Sequence, residues 1–450
     1  MKIVIVGIGK LGEYLARVLV KDENEVTLVD IDFTTSRDII DNEDVNYICG
    51  NGLDSNVLIE AGVNEADILI SVMEKDEQNV MCSLIGKKLG AKHTIARIRT
   101  PEYSNSINLL KEDLGLSMAI NPEQLTANKI ARALSIPSAL EETTFLKGKI
   151  QMISIKVKEG SVLAGNTVNA LSKKITGVIV CTIERDNVTS VPKGNTKIQV
   201  GDKINITGSP KDIKEFLVYA KLMSEKTKKV IICGGSNTSI YLAKLLIDMG
   251  MDVKIIELSE ERCKFLSEKL PEALIIHGDV SDQYVLFEEG IETCDAFVTL
   301  TSIDEENIIC SMFASMQNVP KIITKVNHIS LDGVIEKANI DTVITPHKIA
   351  ANQVVKYVRA MQNGQNSSCE ALYKFGDESF EMLEFIIKKD FKGLNMKIKD
   401  MKVKEGVLIV AISRNRNIIF PNGQDEIKLR DTIIVIDNSG SIIDINDILE

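Results

Sequence analysis

The chain has 450 residues and a formal net charge of −11. An acidic balance of this size argues against nucleic acid as a partner, because phosphate binding requires a basic surface. The eight cysteines include no CxxC pair, which excludes a zinc ribbon or a thioredoxin-type pair and favours core packing in a reducing cytosol. The longest apolar runs, such as KIVIVGIG, are much shorter than the ~20 residues that span a bilayer.

Residues 1–121 alternate short apolar strands with helical stretches, and the strands are IVIVG, EVTLVD, NYICG, DILISV and TIARI. This alternation predicts a mostly parallel, doubly wound sheet with helices on both faces. A helix is predicted from Pro122, because proline suits a first helical turn. Residues 146–224 hold short strands between Gly, Asp and Pro turns, which predicts a smaller β-rich lobe.

The second half of the chain repeats this scheme. Gly7 pairs with Gly234 at an offset of 227 residues, and residues 49–82 align with 277–310 at an offset of 228. A nearly constant offset over the whole chain indicates duplication. We therefore predict an α/β protein with four domains and a hinge at NGQNSS, residues 363–368. The predicted domains are Rossmann-like lobes at 1–123 and 230–348, and small β-rich α/β lobes at 143–224 and 369–450.

The first strand leads into a G-x-G-x-x-G motif that opens an amphipathic helix. Gly7 permits the tight turn, Gly9 lets the backbone approach a pyrophosphate, and Gly12 lets the helix pack close to the sheet. The helix starting near Lys10 offers unpaired N–H groups to phosphates. Asp30 ends the second strand and would accept hydrogen bonds from ribose hydroxyls, which favours NAD or a plain adenine nucleotide over NADP.

Four further residues are candidates for the same site. Arg97 and Arg99 stand two apart in a strand pattern, so that both could reach phosphates from one face, although surface salt bridges are an equal alternative. Asn51 and Met73 follow the third and fourth strands and would stand beside the adenosine half of the ligand. A role confined to the strand end is the alternative for these two residues.

The second copy of the motif has lost two glycines. Ser236 replaces Gly9 and Ser239 replaces Gly12, whereas Glu257 still supplies a ribose acceptor. Lys325 and Asn327 take the places of the two arginines. The pattern is compatible with a weaker site, a different nucleotide or a purely structural domain.

The sequence shows no catalytic constellation. A dehydrogenase needs a proton relay near the nicotinamide, and none of the four histidines (His93, His277, His328 and His347) lies in a dyad-like pattern. Such residues are more often capping or surface histidines. The acid pairs Asp76-Glu77 and Asp304-Glu305 precede predicted helix starts, where acids favour the helix dipole. We therefore expect no enzymatic activity, no catalytic residue and no metal site.

The combination of motifs resembles the TrkA-type family, the NAD-binding regulatory subunits of Trk and Ktr potassium uptake systems with tandem RCK (KTN) domains. The resemblance lies in MKIVIVGIGKLGEYLA with VTLVD, in GNGLDSNVLIEAGVNEADILISV, in DEQNVM and ARIRTPEY, and in the repeat of this order. Carried over by position, it implies nucleotide contacts at Gly7, Ile8, Gly9, Lys10, Leu11, Asp30, Asn51, Met73, Arg97 and Arg99. The implied contacts of the second half are Gly234, Gly235, Ser236, Asn237, Thr238, Glu257, Thr301 and Lys325.

The resemblance also implies a function. Such proteins bind NAD(H), ATP or ADP, assemble as a ring that commonly has four chains, and gate a potassium-translocating Trk-type membrane subunit. It implies a cytoplasmic protein attached to the inner face of the cell membrane through that partner. An NAD-dependent oxidoreductase and a sensor controlling something other than potassium are the rival interpretations.

Two apolar helices follow the Rossmann-like lobes, at 122–142 and 346–362. Leu125, Ile130 and Leu134 mark the first helix, and Ile349, Val354 and Val358 mark the second, at helical spacing. Packing within its own chain is the simplest account of each stripe. The family resemblance instead implies crossover helices that pack on the neighbouring domain.

Overall fold

The structure is a computed structural model that describes most of the chain. It describes residues 1–450 except 33–38, 104–106, 108–112, 136–140, 147, 187, 223–226, 328–339, 341, 367–368, 376–379, 416, 439–441 and 443. The side chains of residues 141–144, 360, 363–366 and 369–375 are also not described. Among the described helices, none has both the length and the apolar character that crossing a membrane requires.

The first segment folds into a six-stranded parallel sheet. Its strands are β1 (Lys2–Val6), β2 (Glu25–Asp30), β3 (Asn46–Cys49), β4 (Ile68–Ser71), β5 (His93–Arg97) and β6 (Met118–Ile120), and their order is β3-β2-β1-β4-β5-β6. Ile5 lies opposite Leu28 on one side and Ile70 on the other. Because helices cover both faces of such a sheet, its central strands are almost wholly apolar and buried.

The helices that accompany this sheet include α1 (Lys10–Lys21), α2 (Ser55–Glu60), α3 (Asp76–Leu89) and α4 (Pro122–Ser135). Helix α1 buries Leu11, Leu15 and Leu19, which lie four residues apart on the face toward the sheet. Helix α4 ends at Ser135, earlier than the predicted residue 142. Of the residues beyond it, 136–140 lie outside the described part of the chain, and strand β7 starts at residue 141.

The next segment is a five-stranded antiparallel lobe. Its elements are β7 (Glu141–Phe145), β8 (Ile150–Lys156), α5 (Val168–Lys174), β9 (Val178–Arg185), β10 (Val188–Ser190), β11 (Lys203–Gly208) and α6 (Pro210–Tyr219), with the strand order β10-β9-β11-β8-β7. Ser209 caps α6 by accepting from the Asp212 N–H, and Pro210 occupies the first turn of this helix. Serine is favoured at the N-cap and proline in the first turn.

The second half repeats the parallel sheet with the same strand order, β14-β13-β12-β15-β16-β17. Its strands are β12 (Lys229–Cys233), β13 (Asp252–Glu257), β14 (Leu274–His277), β15 (Ala296–Thr299), β16 (Lys321–Lys325) and β17 (Thr342–Ile344). Its described helices are α7 (Asn237–Asp248), α8 (Glu260–Lys269), α9 (Gln283–Glu288), α10 (Asp304–Met316) and α11 (Pro346–Asn366). Residues 363–366 continue α11, so the hinge predicted at 363–368 is wrong for these four positions; residues 367–368 lie outside the described residues. One interior glycine, Gly364, weakens a helix by only ~1 kcal/mol.

The last segment is a second antiparallel lobe with the strand order β18-β19-β22-β20-β21. Its strands are β18 (Cys369–Phe375), β19 (Phe380–Ile386), β20 (Leu408–Arg414), β21 (Asn417–Ile419) and β22 (Thr432–Asp437). The predicted fold class is therefore confirmed: two Rossmann-like lobes, each followed by a small β-rich lobe.

The chain forms two compact units, and each unit combines one lobe from each half. The first contains Met1–Leu134 and Thr227–Val355, and the second contains Ser135–Lys226 and Lys356–Glu450. In the second unit, Phe145 and Met152 of one small lobe share a core with Phe380, Met382 and Val410 of the other. The division into four domains with the predicted bounds stays a prediction.

Helix α4 is a crossover helix. Its buried Ala127, Ile130 and Leu134 share a hydrophobic core with Val230 and Leu246, which belong to the second sheet and to α7. The Thr227 hydroxyl also donates to the Leu134 carbonyl oxygen at 3.1 Å. Helix α4 thus packs within its own chain, as the simplest account expects, and it does so on the neighbouring domain, as the resemblance implies.

Candidate nucleotide sites

The sheet order places the glycine turn at the point where the chain reverses its direction of winding. Strand β1 pairs with β2 on one side and with β4 on the other, so the loops after β1 and β4 meet at the carboxyl edge. In open α/β sheets, ligands bind in the crevice at this switch point. A side chain on Gly7, which has a φ of +98°, would approach the Met73 backbone nitrogen to 2.8 Å. The topology thus brings two predicted site residues together.

The start of α1 is open in the described part of the structure. Gly9 is the N-cap, and among the described residues no side chain caps the helix. No described heavy atom lies within 4 Å of the position that a Cβ of Gly9 would take. Lys10 is exposed, whereas the side chains of Ile8 and Leu11 are buried and leave only their backbones at the turn. Free helix N–H groups beside open space form an anion-binding arrangement.

Asp30 is held against the turn by two backbone N–H groups. Its Oδ2 accepts from the Ile8 N–H at 2.6 Å, and its Oδ1 accepts from the Asp32 N–H at 3.0 Å. Each carboxylate oxygen has a second lone pair, so Asp30 retains capacity to accept from ribose hydroxyls.

Asn51 and Met73 line the loops after β3 and β4. Asn51 is exposed, and its Oδ1 accepts from the Leu53 N–H at 3.0 Å, which stabilises its own turn. The Met73 backbone is fixed by Asn79, whose Oδ1 accepts from the Met73 N–H at 2.7 Å and whose Nδ2 donates to the Met73 carbonyl at 2.9 Å. Asn79 also donates to the Arg97 carbonyl at 2.9 Å. Asn79, a buried residue that holds this backbone in place, was not among the predicted site residues. Its recurrence as Asn307 in the second half is the sequence feature that could have identified it.

Arg97 and Arg99 both reach toward the loop after β4. Arg97 Nη2 donates to the Met73 carbonyl at 2.5 Å, and Arg99 Nη2 donates to the Glu74 carbonyl at 2.6 Å. The Arg97 Nε is buried and has no hydrogen-bond partner among the residues that the structure describes. Burial, followed by the repulsion of Arg99, lowers the pKa of Arg97 to about 10. A buried donor with an unmet hydrogen bond fits an anionic ligand.

The backbone after β5 is positioned by a carboxylate that was not among the predicted site residues. Strand β5 ends at Arg97, so Arg99 lies beyond the strand. The Asp76 carboxylate accepts from the Arg99 N–H at 3.0 Å and from the Thr100 N–H at 2.8 Å. Asp76 also begins α3, as its predicted helix-start position suggested. It positions Arg99.

The second glycine turn is occupied by its own side chains. Gly234 keeps the turn, and Ser236 caps α7 by accepting from the Ser239 N–H at 3.3 Å. Arg262 donates from Nε to the Gly235 carbonyl at 2.6 Å and from Nη2 to the Asn237 Oδ1 at 3.1 Å. Thr238, also in this turn, is buried. The Ser239 N–H and the Arg262 side chain therefore bond within the protein. Arg262 was not among the predicted site residues. No nearby sequence motif indicates that its side chain contacts the turn at Gly235.

The other second-half residues reproduce the framework of the first site. Glu257 Oε2 accepts from the Gly235 N–H at 2.6 Å. The Thr301 N–H donates to the Asn307 Oδ1 at 3.0 Å, as the Met73 N–H does to Asn79. Lys325 Nζ donates to the Leu300 carbonyl at 3.3 Å, and burial lowers the pKa of Lys325.

Three of the four histidines lie in the described part of the chain. His93 begins β5 and therefore lies at the opposite edge of the sheet, where burial lowers its pKa. His277 is exposed at the end of β14, and His347 stacks edge-on against Tyr14 with ring centroids 5.9 Å apart. His328 lies outside the described residues. Among the described residues, no cluster of His, Cys, Asp and Glu forms a metal site.

Comparison with known proteins identifies the family. The TrkA-N domain model matches residues 3–122 and 230–346, and the TrkA-C domain model matches 152–221 and 382–450. The Trk system potassium uptake protein TrkA of Halomonas elongata is 30% identical over 439 residues, covering 97% of this chain and 95% of that protein. A TrkA homolog of Archaeoglobus fulgidus is 30% identical over 435 residues, covering 97% of both chains.

Two solved structures share the fold. The GsuK RCK domain superposes with a TM-score of 0.64 at 18% identity, covering 98% of this chain and 92% of that one. The GsuK channel bound to NAD gives 0.65 at 17% identity, covering 98% of this chain and 77% of that one. The chain therefore belongs to the TrkA family of Trk-system potassium uptake proteins, with two TrkA-N and two TrkA-C domains.

Proposed function

We propose that this protein is a regulatory subunit that binds an adenine nucleotide, NAD(H), ATP or ADP, at the first glycine turn and thereby gates a potassium-translocating Trk-type membrane subunit. The observation that carries the proposal is the uncapped start of α1 beside open space at Gly9, in the described part of the chain. The names of the TrkA relatives support the potassium system, and the NAD-bound GsuK channel supports the ligand class.

In this proposal each residue of the first site has a stated role. The backbone N–H groups at Gly9, Lys10 and Leu11 bind the phosphates, because a helix start carries partial positive charge. Asp30 accepts from the ribose hydroxyls, and its charge disfavours a 2′-phosphate. Arg97 contributes charge at the phosphate end. The bound nucleotide supplies the signal and undergoes no reaction.

The second site is proposed to bind nucleotides more weakly. The Ser236 hydroxyl already accepts from the Ser239 N–H at the start of α7, and Arg262 Nε donates to the Gly235 carbonyl. A phosphate would have to replace these bonds, which contribute roughly 0.5–1.5 kcal/mol for the neutral serine bond and roughly 1.5–3 kcal/mol for the bond from the charged Arg262. Glu257 nevertheless keeps an acid at the ribose position.

The proposed signal passes through an assembly. We infer a homo-oligomer, a ring of about four chains, at the inner face of the cell membrane beneath its membrane partner. A nucleotide biases such a ring only by binding its alternative shapes with different affinities. The two Rossmann-like lobes share one core through α4, so a ligand on one lobe can act on the other.

Two matched variants of the full-length chain test the site. Gly9→Asp places a carboxylate where the phosphates would bind, and the open space there leaves the fold intact. Ser236→Asp makes the equivalent change in the second turn. We expect calorimetric titration with ATP and NADH to show the tightest binding lost in Gly9→Asp and kept in Ser236→Asp. Equal losses in both variants, or steady turnover of NADH by the wild type, would contradict the proposal.

A further inference from the structure

The segment after β5 connects the first site to the second half of the chain. Its backbone is held on one side by Asp76, which accepts from the Arg99 and Thr100 N–H groups. The Arg99 side chain reaches the loop after β4, where Nη2 donates to the Glu74 carbonyl at 2.6 Å. The Arg99 carbonyl oxygen accepts a hydrogen bond from Tyr241, a residue of the second half. Arg99 therefore contacts both halves.

The Tyr241 hydroxyl is held between an amide and a carbonyl. It accepts from the Asn121 Nδ2 at 2.9 Å and donates to the Arg99 carbonyl at 3.4 Å. A tyrosine hydroxyl has a single O–H donor, and here that donor is used on Arg99. Asn121 is buried, and its Oδ1 accepts from the Gln124 N–H at 2.9 Å. The group that orients the hydroxyl is thus itself fixed.

A second contact attaches the same segment to the second half. Glu102 Oε1 accepts from the Nζ of Lys269, the last residue of α8, at 2.8 Å. This bond lowers the pKa of Glu102. Both side chains are exposed enough that the ion pair by itself contributes little. Together, Tyr241 of α7 and Lys269 of α8 hold residues 99–102 at both ends.

The repeat places a tyrosine in both halves but a charged partner in only one. Tyr14 of α1 corresponds to Tyr241 of α7 at the offset of 227 residues. The position that corresponds to Arg99, however, holds the neutral Asn327 in the second half. The tyrosine is therefore common to both halves, and the arginine beside it is particular to the first site.

We propose that Tyr241 is a positioning residue of the first site, whose hydroxyl holds the Arg99 backbone so that the guanidinium binds the phosphates of a nucleotide. This inference rests on the proposed nucleotide site. The Arg99 side chain is 36% exposed, so a ligand can reach it. A fixed backbone lowers the entropy that this long side chain loses on binding. Because the hydroxyl belongs to α7, the second half of the chain sets the phosphate affinity of the first site.

The test compares full-length wild type with Tyr241→Phe, which removes the hydroxyl and keeps the ring that packs on the core of the second sheet. Tyr284→Phe is the matched control, because Tyr284 is an exposed tyrosine of α9 in the same lobe. Adenosine and ATP are titrated by calorimetry. We expect Tyr241→Phe to bind ATP about 3- to 10-fold more weakly than wild type, and adenosine equally well. The control should bind both ligands as wild type does.

A double-mutant cycle separates positioning from a general loss of structure. Arg99→Ala removes the side chain through which Tyr241 acts, and it should weaken ATP binding at least as much as Tyr241→Phe does. Adding Tyr241→Phe to Arg99→Ala should then change the ATP affinity by less than about twofold, because the two substitutions remove one interaction. Additive losses would overturn the inference, since the hydroxyl would then act independently of Arg99.

The remaining outcomes also decide the inference. Unchanged ATP affinity in Tyr241→Phe overturns it, and so does an equal loss of adenosine binding, because Arg99 is proposed to contact phosphates. In both cases the wild type still binds ATP and the proposed function stands. If the wild type binds no nucleotide, the proposed function fails and the inference fails with it. Tyr241→Leu is titrated in the same way, so a poorly folded phenylalanine variant does not remove the test.

Discussion

At the residue scale, the two glycine turns differ most in how their helices begin. Gly9 leaves the start of α1 without a side-chain cap among the described residues, whereas Ser236 caps α7 through the Ser239 N–H. A serine cap typically stabilises a helix by about 1 kcal/mol relative to alanine. The same hydroxyl occupies the Ser239 N–H, one residue beyond the equivalents of Gly9, Lys10 and Leu11. We propose that this cap stabilises the second turn and contributes to making it the weaker anion site.

Asp30 allows a prediction about ligand choice. Asp30→Ala should weaken NAD binding by roughly tenfold, because a charge-assisted hydrogen bond to the ribose is lost. It should also reduce the discrimination against NADP, because the charge that repels a 2′-phosphate is removed. Calorimetric titration of wild type and variant with NAD and NADP measures both effects.

Glu257→Ala is the control for this prediction, because Glu257 holds the equivalent place in the second turn, which we propose to be the weaker site, and likewise accepts a backbone N–H from its turn. Thermal unfolding should be compared in all three proteins, since Asp30 also fixes the Ile8 N–H. An Asp30→Ala protein with unchanged NAD affinity would show that Asp30 is not part of the site.

At the element scale, α4 holds the two Rossmann-like lobes together. Its buried face completes the core of the second sheet, so a cut between the halves near residue 224 would expose this face in one fragment. Separate halves are therefore poor subjects for binding experiments. Variants of the full chain preserve the packing that the sites need.

Ile130 tests this packing. The side chain is fully buried between α4 and the second sheet, so Ile130→Ala should lower the free energy of unfolding by about 2–4 kcal/mol through lost contacts and a cavity. Urea unfolding followed by far-ultraviolet circular dichroism measures the change. Arg132→Ala, at an exposed position on the same helix, should leave the transition nearly unchanged. Equal effects of the two substitutions would contradict the crossover role.

At the scale of the whole molecule, the proposed assembly predicts a nucleotide-dependent change of shape. Light scattering of the purified protein should report about four chains, with a hydrodynamic radius that changes when ATP or NADH is added. Gly9→Asp should assemble like the wild type and lose the change, because it removes the ligand and not the interface. A monomer that does not respond to nucleotide would contradict the proposal.

The sequence by itself determined the features that depend on local geometry. Gly7 and Gly234 predict tight turns because their positive φ angles disfavour other residues, and both turns are present. The alternation of apolar strands and helices predicts the doubly wound sheets, and the constant offset predicts their repetition. The position of Asp30 at the end of the second strand was likewise predicted from the sequence and is present.

The tertiary structure decided what depends on contacts between distant segments. Only the fold brings the Tyr241 hydroxyl to the Arg99 carbonyl, and only the fold packs Ile130 of α4 on the second sheet. The closure of the second turn by Arg262 likewise joins residues 27 positions apart. A periodic apolar stripe indicates that one face of a helix is buried, but it does not indicate which other part of the protein that face packs against. For that physical reason the sequence left the packing of α4 open, and the three-dimensional arrangement of the two halves resolved it.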